Sequence, residues 1–305
     1  MPFRGQTLLV TAIVLIGGFG PAIGGILTLG LRSRQKPSMS PKRALTMLLI
    51  SGLIFGVLTL RYLVGNIPNF DILAKDLTLT TPIVMIAVIA SLVGGWVYSS
   101  AVSDKSEVRT GMASIFPKRL SPLWTLFAVL FYPIIILASW GLSVLFGMNA
   151  EYPGLWEQPA LEILPLYALT FCVTLLIQGG NEEIGWRGFM QPELQKRFSP
   201  LIAALIVSVF WSLWHLPLFL NGVYDADVVM GMVSGGIYRI PLAIFLAWFY
   251  NRSGGNLFLT MFLHASFNRT PSLLPTPSLM LMVLCLIVAV VMVVKDKMWR
   301  KIPQG

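Results

Sequence analysis

Two adjacent carboxylates, Glu182 and Glu183, follow an apolar run from Ile163 to Ile177, and Arg187 stands four residues beyond the second. An ionisable group in or beside hydrocarbon costs at least about 2.5 kcal/mol, so acids at the edge of such a run need a use. On a helix Glu183 and Arg187 lie about 40° apart round the axis and can pair, whereas Glu182 points roughly 140° away from Arg187 and is left for other work. Both histidines of the chain come later, each inside an apolar run: His215 in Phe-Trp-Ser-Leu-Trp-His-Leu-Pro, and His264 four residues before Asn268, so that these two share one helix face. A single membrane histidine is ordinarily an interhelical hydrogen bond, and an acid pair at a helix end can snorkel into the headgroups. Here two glutamates, an arginine, two histidines and an asparagine fall between Glu182 and Asn268, while the first 180 residues hold nothing comparable.

Such a set can hydrolyse an amide within the membrane. A carboxylate and an imidazole can share the deprotonation of a water, while a second imidazole and a carboxamide donate hydrogen bonds to the oxyanion that forms. Equally, Glu182, His215 and His264 could hold a divalent metal such as zinc that acidifies the water, although the first route requires no cofactor. Competing protease signatures are missing: the chain has no His-Glu-x-x-His, no Gly-x-Gly-Asp and no Gly-x-Ser-x-Gly. Buried Glu and His also build proton relays, which makes a proton-coupled transporter the runner-up. Against it, the first half carries no matching polar set such as an inverted repeat would give. A third possibility is an inactive membrane scaffold, yet none of the six polar positions is lost.

The elements that must position these groups are membrane helices. Of 305 residues 56% are hydrophobic and 11% charged, against roughly 25% charged in a soluble domain, so the chain is an integral membrane protein of the all-α class. The net charge of +9 sits in short loops beside apolar runs, which points to anionic lipid headgroups and not to nucleic acid. Cys172 and Cys285 lie within apolar runs and say nothing of redox compartment. Leu8 to Leu31 is too long for a signal-peptide core and ends in a basic cluster, as an anchor does.

A polytopic bundle of eight or nine helices follows, nine being preferred: Leu8–Leu31, Ala44–Leu60, Pro82–Val102, Leu123–Phe146, Leu161–Gly180, Pro200–Leu220, Val228–Tyr250, a short Leu257–Asn268, and Ser278–Val294. With the N-terminus outside and the C-terminus inside, the cytoplasmic links (32–43, 105–119, 196–197, 252 and 295–301) carry sixteen Lys and Arg against four in the outer segments. The loop Gly147–Pro159, with two acids, two prolines and Trp156, suits an outer cap. We divide the single membrane domain into N-terminal helices (1–160), a region bearing the polar residues (160–275) and a C-terminal helix with a basic tail (276–305). Straight counting sets Glu182 near the inner face and His215 toward the outer one. For them to meet, the fifth helix must run on past Gly188, or the sixth must begin late or tilt. Arg239 is the other charge within a span, and snorkelling or backbone pairing accounts for it more readily than contact with a substrate carboxylate.

Glu182-Glu183-x-x-x-Arg187, an aromatic-x-x-x-His215, and His264-x-x-x-Asn268, in that order on separate helices, resemble the three motifs of the CPBP family: the type II CAAX prenyl endopeptidases and their bacteriocin-processing or immunity relatives. The resemblance implies Glu182 as the main catalytic carboxylate and His215 as its partner on the water. It implies His264 and Asn268 as the oxyanion pair, with Glu183 and Arg187 shaping the site. The substrate would be a membrane-embedded or lipidated peptide, cut at the inner membrane of a bacterium. One departure is Trp211, where the family usually has phenylalanine four residues before the histidine.

Overall fold

A computed structural model describes residues 7–36, 38–64, 81–148, 160–221, 224 and 227–301, and among these every regular element is helical. In chain order they are α1 (Thr7–Leu15) and α2 (Gly20–Arg32), α3 (Pro41–Val64), α4 (Thr81–Ser99), the short α5 (Ser106–Met112), α6 (Pro122–Leu145) and α7 (Ala160–Leu176). Next come α8 (Glu183–Gly185), a π-helical turn over Trp186–Met190, α9 (Gln191–Gln195), α10 (Pro200–Trp214), α11 (Leu216–Leu220), α12 (Val228–Arg252), α13 (Leu257–Arg269) and α14 (Ser278–Lys295). Most of the outer-cap loop, residues 149–159, lies outside the described residues.

Eight stretches among the described residues are long and apolar enough to cross a bilayer, which makes this a multi-pass membrane protein. The stretch we read as the eighth of nine spans is instead α13, whose 13 residues reach only ~20 Å against ~30 Å of hydrocarbon. It compensates by burial. Leu257 and Met261 pack into a core built mainly from α1–α5 and α7, and Leu259, Leu263 and Phe267 pack into a second core of α6, α10, α12 and α14. The outward surfaces carry large aliphatics such as Leu48, Leu63, Leu123, Ile134 and Val290, as surfaces facing lipid tails must.

The polar links assemble on one face. Arg32 pairs with Glu193 at 2.8 Å, Ser40 N–H donates to Asp104, Leu257 N–H to Ser114 Oγ, Leu201 N–H to the Met298 carbonyl, and Arg252 pairs with Asp296. Every link counted above as cytoplasmic thus meets the others at the same level. The Arg252–Asp296 pair also brings the ends of α12 and α14 together, so residues 257–295 leave this face and return to it although α13 is short.

The fifth span is where the straight-helix reading fails. It runs from Leu164 to Gln195, 32 residues, because α7 stops, the chain breaks at Gly179, and helix resumes through Glu182 to α9. Gly179 has φ +140°, a backbone region that essentially only glycine adopts. The first span breaks too, at Gly17–Phe19, and the two breaks lock together. Asn181 accepts from Gly179 N–H at 3.0 Å and donates to the Gly18 carbonyl at 2.9 Å, while a Cβ on Gly18 would come within 2.8 Å of the Ile177 carbonyl oxygen. An unpaired carbonyl or N–H in hydrocarbon is costly, so a buried break needs such a partner, and the N-terminal helices supply it.

Candidate active site

The break lowers Glu182 to mid-span. It lies 13 residues from the Gln195 end, about 20 Å of helical rise, and His215 lies 15 residues from the Pro200 end of its own helix, so the two share a depth. The fifth helix therefore runs on, the first of the ways open for the two residues to meet.

Glu182 is 7% exposed, and its Oε2 accepts two indole N–H bonds, from Trp186 at 3.3 Å and from Trp211 at 2.9 Å. Its other oxygen has no hydrogen bond among the described residues. Trp186 is four residues on, the same spacing that joins Glu183 to Arg187, and the π-helical turn that begins at Trp186 is a distortion frequent at functional sites.

Glu183 and Arg187 form the expected ion pair at 2.9 Å with both side chains fully buried. The same oxygen, Glu183 Oε1, accepts from His264 Nδ1 at 2.7 Å, while Oε2 is buried without a partner. Arg187 also reaches the Ala243 carbonyl on α12 and lies over the Trp211 ring at 5.7 Å. One buried cluster thus ties the fifth span to α12 and α13.

The two imidazoles have different tethers. His215 Nδ1 lies 2.7 Å from the Trp211 carbonyl, so it donates there, and Nε2 of that neutral tautomer is an acceptor. Its ring stacks against Tyr224 with centroids 6.3 Å apart. His264 Nδ1 is held by a carboxylate, which directs Nε2 toward the Gly179 break. Asn268, exposed and one turn on, donates to the Gln178 carbonyl at 3.3 Å. Gln178 is steadied in turn by Arg269, which also reaches Thr174.

Both donors crowd Gly179: a Cβ there would fall 2.4 Å from Asn268 Nδ2 and 3.2 Å from His264 Nε2. We expect Gly179→Ala to lower activity at least as far as Asn268→Ala, because the methyl displaces that carboxamide, and the double substitution to add little to either. Rates of the three variants check this, since two residues acting on one group are non-additive.

Trp211 is the centre of the constellation. Its indole binds Glu182, its carbonyl binds His215, and its ring lies 6.1 Å from the His215 ring and 5.0 Å from the His264 ring. All six residues singled out in the sequence therefore lie on this network, Asn268 at its rim. Sequence reasoning missed Trp186 as a donor, Gly179 as the break, Asn181 as its staple, and Tyr224. Only Trp186 carried a signal, its spacing of four from Glu182. Trp211 was noticed as a departure without a role; phenylalanine there would lack the N–H.

The metal alternative is not favoured by this geometry. Among the described residues no three His, Cys, Asp or Glu side chains converge to hold an ion, so Glu182, His215 and His264 do not form a ligand set. Glu182 Oε2 already accepts two N–H bonds, and the Arg187 cation adjoins the cluster. As placed, these side chains are not gathered round an ion, and we derive no step through one.

A membrane-helix bundle that gathers a buried glutamate and two imidazoles around one indole, with a carboxamide beside the second imidazole at a helix break, defines a candidate intramembrane hydrolase. Comparison with known proteins shows what this part of the chain is similar to. Residues 164–270 match the model of the Rce1-like type II CAAX prenyl endopeptidases, a stretch that contains all six candidate residues. The chain is also 28% identical over 205 residues to the CAAX prenyl protease 2 of Methanococcus maripaludis, covering 63% of this chain and 73% of that one. Both findings support a membrane protease of the CPBP family, on a family match that spans about a third of this chain.

Proposed function

We propose that the chain hydrolyses a peptide bond of a membrane-embedded or lipidated peptide, with Glu182 and His215 activating water and His264 with Asn268 binding the oxyanion. The observation that carries this reading is the Glu182 carboxylate, fixed through one oxygen by two indole N–H groups in a site shared by both imidazoles. Its unbonded oxygen can take a proton from water. His215 Nε2, an acceptor by virtue of its Nδ1 tether, can orient that water or share the proton.

Hydroxide then attacks the scissile carbonyl, and the oxyanion takes hydrogen bonds from Asn268 Nδ2–H and from Nε2–H of an imidazolium at His264. The Glu183 carboxylate compensates that imidazolium. As the C–N bond breaks, the proton held by Glu182 passes to the leaving amine. Carboxylates 182 and 183 thus divide the work that their diverging directions suggest, one toward water and one toward His264.

The basic face gathers the positive charge and is the side we assign to the cytoplasm, with anionic lipid headgroups against it, in the inner membrane of a bacterium. The test is direct. Purified chain in detergent, given a fluorogenic lipopeptide, yields fragments with a new N-terminus by mass spectrometry, at a rate unchanged by a chelator. Failure to cut any lipidated or membrane-spanning peptide would overturn the reading, and loss of cleavage to the chelator would restore the metal route.

A further inference from the structure

Arg239 lies inside α12, well away from either end, where a charge is costly unless it is used. The two ordinary explanations do not hold. It does not snorkel: its side chain is partly buried, and Nη1 is sealed from solvent without a partner. Nor does it bind backbone carbonyls, for among the described residues its guanidinium makes no hydrogen bond and no ion pair. It lies instead 6.0 Å over the ring of Trp211, the indole that holds Glu182. Electrostatically it is coupled to Glu182, Tyr224 and His215.

The space for it comes from Gly235, one turn earlier on α12, where a Cβ would lie 2.6 Å from Nη1. A planar fork of five N–H donors is thus held beside the reaction centre with none of them hydrogen-bonded among the described residues, and that fork matches a carboxylate bidentately. The other buried arginine of the site, Arg187, is already neutralised by Glu183.

We propose that Arg239 holds the C-terminal carboxylate of the peptide substrate while the scissile bond lies at Glu182. This rests on the endopeptidase reading and deepens it by making the end of the chain a recognition element. Tyr224, stacked on His215, is the other group through which Arg239 is coupled to the site.

The test measures binding, so that turnover is not needed. Full-length protein carrying Glu182→Gln is titrated in detergent with a fluorescent lipopeptide bearing a free C-terminal carboxylate and with the same peptide as its C-terminal carboxamide. We expect the acid to bind at least about tenfold tighter, the scale of a charge-assisted contact. Adding Arg239→Gln should erase the preference by weakening the acid alone, and Arg239→Lys should keep part of it. Equal binding of the two peptides overturns the proposal without any change at position 239, so a poorly folding variant does not shelter it. A preference that survives Arg239→Gln, or an equal loss for both peptides, overturns it as well. If the preference holds while the wild-type chain cuts neither peptide, the endopeptidase reading fails and the carboxylate site stands.

Discussion

Replacing Glu182 by Gln lowers peptide hydrolysis by about 10²- to 10⁴-fold, the range expected when a general base is removed. The side chain keeps its size, and a carboxamide oxygen can still accept the indole N–H bonds of Trp186 and Trp211, so the helix break and the packing around it stay as they are. The loss should therefore fall on kcat, with KM and the melting temperature in detergent nearly unchanged. That split matters, because an interaction made only in the transition state lowers kcat and kcat/KM together. A variant that keeps more than a tenth of wild-type turnover would remove Glu182 from the chemistry. The same substitution distinguishes the other readings of the polar cluster, since a transporter would lose coupled flux and a scaffold would lose neither.

Breaking the buried ion pair has the largest expected effect on stability. Arg187→Met leaves Glu183 charged in a fully buried position, with His264 Nδ1–H as its remaining donor and Oε2 already unpaired. Removing one partner of such a pair costs about 3–5 kcal/mol, because the other charge is left without compensation. We expect a fall in the melting temperature large enough to lower the yield of folded protein. Replacing both groups by apolar residues, Glu183→Leu with Arg187→Met, should recover much of the stability, since the desolvation of two charges is removed along with their attraction. Activity should not return with it, because His264 then has no carboxylate to hold its ring and to balance an imidazolium. Thermal unfolding of the two single variants and the double variant forms a cycle. A double variant as unstable as the two single losses added together would mean that the pair contributes packing alone.

Much of the site was legible because helix periodicity fixes which residues share a face. Glu183 with Arg187, and His264 with Asn268, are one turn apart in sequence, and the first pair meets as that spacing requires. The divergence of the two adjacent glutamates was legible for the same reason: one turns to Trp211 and the other to His264. The contacts across elements were not legible. Trp211 reaches Glu182 over 29 residues and His264 reaches Glu183 over 81, and no local spacing encodes either.

Depth was the other difficulty. Counting along an unbroken fifth helix separated Glu182 from His215, and the separation disappears because Gly179 breaks the helix and Asn181 ties the break to Gly18. A glycine pair in an apolar run announces tolerance of a break without saying that one occurs. α13 misled in the opposite way: its apolar run reads as a weak span, yet its length suits it to the centre of the bundle, where two cores share it.

The amino-acid sequence by itself determined that this chain lives in a membrane, which face of the bundle is basic, and which six polar side chains are too costly to be there without a purpose. Those conclusions depend on composition and on the repeat of a single helix, both local properties. Only the tertiary structure decided that the six belong to one network about Trp211 and the Gly179 break, that His215 and His264 have unlike tethers, and that Arg239 has no hydrogen-bond or ion-pair partner among the described residues. These are questions of which helix lies against which and at what height, and in hydrocarbon the answers turn on how each broken backbone finds a partner in another part of the chain.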